Sequence, residues 1–397
     1  MGGRLRIVAG VTGLLILGLY PAQAQQAPAV DKTDNVKPAG RGQYVGGTEL
    51  ATDGRYLYAG VLNGETNRGE IADNGGLRIY KTSDKTMKEV GFLPCSGDDN
   101  DVEVVRKGLV VLGFHGNICA PGGSGLVTVD TRNPKRPKIL GIVNFTSGQA
   151  HTIKPYPGED LVYALPGGLP TNGGAITNIV DVSNPKKPEV VATFQPNRSG
   201  CHDLSFFIKG DSKLAFCAGL GETQIWDVSD PLAPVTIGRI HNPAIEFMHY
   251  PVPNHDGTLL AIDDEAFAAH DCNTGQSPTG RVWIYDISDP TLPLPVSSFA
   301  PPRGGDGQTG IGTYVGWVDS WCLSHGLDWM PGKNYLGATW FTGGWSVLDL
   351  TDPASPTEVA SFQAEDSATY SVLWHQGRLY TNDMHRGAEG FSIKGLK

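Results

Sequence analysis

Trp226-Asp227-Val228-Ser229-Asp230-Pro231 closes one apolar strand and turns the chain into the next, and four other stretches repeat it. They are VDTRNP from Val129, VDVSNP from Val180, YDISDP from Tyr285 and LDLTDP from Leu348. The leading aspartates are Asp130, Asp181, Asp227, Asp286 and Asp349, spaced by 51, 46, 59 and 63 residues. Strand–turn–strand units at this period are the signature of a β-propeller. The turn has a local cause: Asp caps the backbone that follows it, and Pro presets φ.

Working outward from Trp226, the segment from Cys201 to Ile240 reads as four short strands, A to D, joined as a meander. They are 202–208, 214–218, 223–228 and 235–240, with a turn at Lys209-Gly210-Asp211. The same frame opens strand A at Thr48, Asp101, His151, His202, His249, His325 and Tyr370. Weaker copies of strand C lie at 77–81 and 391–394, which makes seven units. The seventh has no fourth strand before the chain ends, so a strand near 43–46 is expected to close the ring and cover an open edge. The expectation is an all-β, seven-bladed propeller of four-stranded antiparallel blades over residues 41–397, closed by an N-terminal strand. Residues 25–40, rich in Gln, Ala, Pro and Lys, read as a mobile leader.

The start of the chain carries Arg4 and Arg6, an apolar run from Ile7 to Tyr20, and Ala22-Gln23-Ala24. A short apolar run followed by a small-x-small site reads as a signal peptide over 1–24. The expected protein is exported, periplasmic or extracellular, with no membrane span. The net charge is −10, and losing Arg4 and Arg6 takes it to −12. Such a balance argues against nucleic acid and anionic membrane surfaces as partners. The 53 glycines and 28 prolines suit a chain made of turns.

Six cysteines in an exported chain imply disulfides, and six allow 15 pairings. The blade frame narrows these. Cys201 opens a strand A that Cys217 ends opposite. Cys95 and Cys119 flank the A–B pair of the second blade. Cys272 and Cys322 lie in or beside two long insertions, 266–280 and 300–320. The expected bonds are therefore 95–119, 201–217 and 272–322. Both insertions emerge on the face where strand A begins, and long loops on a rigid scaffold often carry function.

The VDVSNP and YDISDP phrases, with His-Asp opening a strand, resemble the LVIVD-repeat family of exported β-propellers. The likeness covers nearly all of residues 40–397. It includes Cys201-His202-Asp203, Asp263-Asp264-Glu265, Cys322-Leu323-Ser324-His325-Gly326 and Trp340-Phe341-Thr342-Gly343-Gly344. The resemblance implies a surface or secreted propeller and no defined reaction. The chain departs from the Asp-bearing phrase at Lys81 and Lys394.

His151, His202, His249 and His325 hold one position in four successive blades, the opening of the innermost strand. Converging there, four imidazoles could bind Cu, Fe or Zn, with Glu49 and Asp101 in or near the ring. The competing reading is structural: each His-Asp pair staples a blade, imidazole to backbone and carboxylate to a turn. Asp263-Asp264-Glu265 offers hard oxygens to Ca²⁺, although solvated surface acid explains it too. So does the acidic loop 97–101, which lacks calcium-loop spacing. Serine-nucleophile chemistry has no G-x-S-x-G elbow to support it.

Asp203, Glu265, Tyr370, His385 and Arg386 complete the candidate ligand-binding set, with His375 also near the rim. Trp317, Trp321, Trp329, Trp340, Trp345 and Trp374 could form an aromatic platform for a glycan or serve as core. The reading that follows is a binding module holding a small ligand, metal ion or extracellular partner at the central pocket. The alternative is a metal-dependent oxidoreductase on the four-histidine ring.

Overall fold

The computed structural model describes residues 30–42, 44–62, 75–83, 86–95, 101–117, 120–167, 176–195, 200–265, 280–302 and 322–396. Two N-terminal strands, β1 (Val30–Lys32) and β2 (Val36–Arg41), precede the blades. Blade one is β3 (Gly47–Thr52), β4 (Tyr56–Val61), β5 (Gly76–Thr82) and β6 (Met87–Leu93). Blade two is β7 (Val102–Arg106), β8 (Leu109–Asn117), β9 (Ala120–Asp130) and β10 (Lys138–Asn144). Blade three is β11 (Thr152–Pro155), β12 (Leu161–Leu165), β13 (Thr177–Asp181) and β14 (Glu189–Phe194). Blade four is β15 (Asp203–Lys209), β16 (Ser212–Ala218), β17 (Thr223–Asp227) and β18 (Val235–Ile240). Blade five is β19 (Met248–Pro253), β20 (Leu259–Asp264), β21 (Val282–Asp286) and β22 (Leu294–Phe299). Blade six is β23 (Leu327–Trp329), β24 (Tyr335–Thr339), β25 (Trp345–Asp349) and β26 (Thr357–Ala364), with β1 added outside β26. Blade seven is β27 (Thr369–His375), β28 (Arg378–Asp383) and β29 (Gly387–Ile393), with β2 as its outer strand. All pairings are antiparallel, and the described residues contain no helix.

The repeated phrase forms the same turn in all five copies. Asp130, Asp181, Asp227, Asp286 and Asp349 each accept the backbone N–H two residues on, at 2.7–3.0 Å. The residue before Pro repeats the device: Asn133, Asn184, Asp230, Asp289 and Asp352 accept from residue i+2 at 2.9–3.3 Å. These side chains satisfy amides that the turn would otherwise leave unpaired.

The same turns lock neighbouring blades together. Tyr163 donates to the Pro231 carbonyl of the next blade, and Ser297 donates to that of Pro353 at 2.6 Å. Gly238 lies so close to the Pro290 carbonyl that a Cβ there would sit 2.1 Å from it. Above these contacts, each of the seven blade interfaces has its own buried apolar cluster, such as Phe216, Ile225, Leu260 and Ile262 between blades four and five.

The ring closes earlier in the chain than 43–46. The strand beside β29 is Val36–Arg41, and Val36 is buried with Trp345 and Phe391. Residues 44–46 instead carry the chain inward to blade one, with Gly46 at φ 82 donating to Met384 O. The propeller therefore begins by Val30, and residues 30–41 form two strands joined by a turn at 33–35 rather than a leader. The cause is the bare edge of β29, whose amides need a partner. Asn35 ties the two outer strands together through its side-chain amide, which donates to Val359 O and Lys394 O.

Cys201 and Cys217 are disulfide-bonded, with Cα atoms 5.4 Å apart. Cys95 and Cys322 are also disulfide-bonded. Their expected partners, Cys119 and Cys272, lie outside the described residues, as do the signal-peptide segment 1–24 and most of both insertions. Trp329, Trp340, Trp345 and Trp374 are buried in blade-interface clusters, so four of the six tryptophans considered for a platform are core and offer no glycan platform. Trp317 and Trp321 are outside the described residues.

Candidate functional site

Three of the four histidines are held at the start of strand A by one backbone bond. His151 donates its N–H to Leu165 O, His202 to Ala218 O, and His325 to Thr339 O. In each case the partner ends strand B, so the repeat places the residue on the inner rim. At His249 the job falls to its neighbours: Met248 N–H donates to Leu220 O, and Tyr250 N–H to Asp263 Oδ1. Strand β19 is irregular here, with a register shift between Met248 and Pro251. Shifts also occur in β3 and β27, at Gly47/Leu50 and Thr369/Ser371. Such bulges re-aim side chains.

The rings meet in a continuous arc. Centroids are 4.4 Å apart for His151–His202, 4.6 Å for His202–His249 and 4.3 Å for His249–His325. The Tyr370 ring continues the arc, 3.9 Å from His325. Phe247 and Phe341 wall it, at 4.9 Å from His202 and 4.7 Å from His325. Phe341 takes φ 43 and Leu220 φ 63, where a side chain is strained by on the order of 1–3 kcal/mol. Each makes an isolated bridge to the start of the next blade, Leu220 to Met248 and Phe341 to Thr369. Gly167, at φ 77, backs onto the His151 ring, where a Cβ would lie 2.8 Å from Cγ.

Glu265 swings into this arc from the end of β20. Its carboxylate lies 3.7 Å from His249 Nε2 and 3.8 Å from His325 Nε2. His202, His249 and Glu265 offer donor atoms all within 4.8 Å of one another. The outer nitrogens of two rings are occupied. His325 Nδ1 is 3.0 Å from Tyr370 O, which can only accept, so Nδ1 carries the proton and Nε2 the lone pair. His249 Nδ1 faces Asp263 Oδ2 at 3.3 Å, leaving Nε2 toward Glu265. This is the carboxylate–imidazole arrangement that orients metal-binding histidines. His202 differs: its Nδ1 is buried and has no hydrogen-bond partner among the described residues. Burial first, then the neighbouring His151, His249 and His325, holds its pKa well below the usual histidine value. The ring is thereby kept neutral, as a ligand must be.

The acidic strand end is largely spent on backbone. Asp264 Oδ1 accepts from Glu246 and Phe247 N–H, and Oδ2 from Gly280 N–H. Asp263 is held by Tyr250 N–H and His249. Only Glu265 is left facing the arc, which argues against a calcium site on this triplet. Asp383 plays the equivalent part in blade seven, accepting from Ala368, His385 and Arg386 N–H groups. Arg386 does not reach the channel: its guanidinium is clamped by Glu389 at 2.8 and 2.9 Å and also pairs with Asp366. His375 is buried between Thr52 Oγ1 and Thr82 Oγ1, at 2.8 and 3.0 Å.

Below the imidazoles the channel is lined by charge: Glu49, Asp101 and Asp203 were expected there, while Glu103, Lys154, Tyr250 and Asp328 were not. Asp101 and Glu49 lie beside His151 and Tyr370. Deeper still, Glu49, Glu103, Lys154, Asp203, Tyr250 and Asp328 surround a cavity of about 260 Å³. Lys154 Nζ donates to Glu103 Oε1 at 2.8 Å and lies 3.8 Å from Asp203 Oδ1. Burial pushes the Glu103, Asp203 and Asp328 carboxyls up to about 7. Burial would lower Lys154, but Asp203 and Glu103 outweigh it and raise the ammonium well above its usual value.

Comparison with known proteins agrees with this architecture. A model of the LVIVD repeat matches residues 177–195, which are strands C and D of blade three and the turn between them. No curated protein matches the chain significantly. Among solved structures, Saccharomyces cerevisiae Sqt1 superposes with a TM-score of 0.53 at 10% identity, over 89% of this chain and 86% of that one. At that identity the likeness speaks for the fold alone. The chain is a seven-bladed β-propeller that carries an LVIVD repeat.

Proposed function

We propose that this propeller is a binding module that holds one transition-metal ion of the Cu, Fe or Zn class at the mouth of its channel. His202, His249 and Glu265 are the ligands, with His151 and His325 beside them. The observation that carries the reading is His202 Nδ1, buried without a hydrogen-bond partner among the described residues, amid three more imidazoles and a carboxylate. Leaving such a nitrogen unsatisfied costs about 1–3 kcal/mol, so it calls for a reason. Imidazole suits these metals, and their bonds of ~2 Å would draw the donor atoms closer together than they now lie.

The stapling reading accounts for the outer nitrogens of His249 and His325, but not for His202. An oxidoreductase would rest on the same ligands; the geometry speaks to holding an ion and not to turnover. The Cys201–Cys217 bond beside His202 suits an oxidising compartment, so the module is taken to work outside the cytoplasm.

The test is elemental analysis and calorimetric titration of untagged protein, stripped with a chelator and offered Zn²⁺ or Cu²⁺. One ion per chain is expected. His202→Ala and His249→Ala should each abolish it while the metal-free protein keeps its denaturation midpoint. Unchanged metal content with lowered stability in both variants would overturn the site in favour of staples.

A further inference from the structure

The cavity below the histidine arc has a wall chemistry of its own. Glu49, Glu103, Asp203 and Asp328 contribute carboxylates, and Lys154 is the one cation in the lining. Lys154 is already committed to Glu103 and Asp203, and it lies over the Tyr250 ring, 5.1 Å from its centroid. The Glu49 carboxylate finds no hydrogen-bond donor among the described residues, although its backbone carbonyl accepts from Asn382 Nδ2 at 3.4 Å. Just above, Asp101 is 4% exposed; its Oδ2 accepts from Ile153 N–H at 2.7 Å, and its Oδ1 has no partner among the described residues. That unpaired oxygen borders the small space shared with Glu49 and Asp203. The wall therefore offers carboxyl oxygens in excess of N–H donors, and four acidic side chains against one basic one.

We propose that this cavity is a second site, which binds a small organic cation through an ammonium or guanidinium group. Three features select that class. A cation with several N–H donors matches unpaired carboxylate oxygens at more than one point. The carboxylates are spread around the space: the donor cluster that does converge within 4.8 Å, among the described residues, is His202–His249–Glu265 and not this one. A bare Ca²⁺ or Mg²⁺ needs its oxygens at one point. The remaining wall, which includes Leu50, Val104, Leu327 and Val372, is apolar and suits a carbon body. At roughly 30 Å³ per water, about 260 Å³ admits a molecule the size of eight or nine waters. Glu49, Glu103, Lys154, Tyr250 and Asp328 are only half-buried, so the space communicates with solvent.

His249 and His325 of the arc also border this cavity, so the test is chosen to keep the two readings apart. Chelator-treated full-length protein is titrated calorimetrically with putrescine and with agmatine. Neutral 1,4-butanediol, anionic succinate and Ca²⁺ serve as comparisons. A diamine or guanidine should bind one to one, and Glu49→Gln and Asp328→Asn should each weaken it about tenfold or more, or ~1.4 kcal/mol. His202→Ala, which tests the metal site, should leave the affinity unchanged. Each variant is first checked for a cooperative melt, so that two carboxylates at different points of the wall report independently. Binding of butanediol as tight as putrescine, preference for Ca²⁺, no binding of either amine, or affinities unmoved by both carboxylate changes would each overturn the proposal.

Discussion

At Gly238 the ring leaves no room for a methyl group, because the Pro290 carbonyl of the next blade's turn stands where Cβ would go. The repeated Asp-x-Ser/Thr-Asp/Asn-Pro phrase thus acts twice. Its aspartates shape the turn from inside, and its proline carbonyl docks on the preceding blade. Gly238→Ala should lower stability by about 1–3 kcal/mol, the usual cost of overpacking. Gly221→Ala, in open space within the same blade, should change it by less than about 0.5 kcal/mol. Urea titration of both variants checks this, and equal midpoints would mean that the docking contact contributes nothing. The histidines follow the same logic of one residue meeting a repeated backbone bond. What separates His202 from a staple is one nitrogen with no partner among the described residues.

Among elements, the two N-terminal strands do different work. β1 adds a fifth strand to blade six through Val30–Lys32. β2 supplies the missing outer strand of blade seven and so joins the two ends of the chain. A protein starting at residue 36 should melt cooperatively, close to the full chain. One starting at residue 42 should lose β2, bare the edge of β29, and aggregate or unfold without cooperativity. If both truncated proteins melt alike in calorimetry, the ring does not depend on β2 for closure. The long insertions also belong to this scale: 266–280 leaves strand B just after Glu265, so its root is fixed beside the histidine arc.

Across the whole molecule, the channel gathers acid that folding must remove from water. Burial raises the carboxyls of Asp328 and Glu103 to about 7, against about 4 in the unfolded chain. An acid with a raised folded-state pKa takes up protons on folding between those two values. Its contribution is therefore favourable at low pH and is lost as pH climbs from about 4 through about 7. His202 and His375 oppose this, since burial lowers their pKa values and their contribution is lost as pH falls through about 6.5. Comparing the full chain with Asp328→Asn isolates one group. The variant should gain roughly 2 kcal/mol on the full chain between pH 5 and pH 8, at ~1.4 kcal/mol per unit and discounted for its half-exposed position. Parallel stability–pH curves for the two proteins would show that Asp328 does not titrate in this range.

The sequence by itself determined the blade count, the strand order, the cysteine pair 201–217 and the convergence of blades on strand A. Those rest on short-range chemistry: an Asp that caps the amide two residues on, at a period set by four strands, can be read from neighbours in the chain. Tertiary structure alone decided the rest. The closing strand is Val36–Arg41 because the β29 edge and the Trp345–Phe391 cluster select it over the residues nearer blade one. Arg386 and four tryptophans leave the candidate site because their partners, Glu389 and the interface cores, come from the packed blade. Glu103, Lys154, Tyr250 and Asp328 join the channel at different offsets from the residue that opens their strand, and only Tyr250 lies on a strand, β19, whose register shifts there. Charged residues within inner strands were the one visible sign. Which of them share a cavity depends on how those strands meet around the axis, and no local period records that.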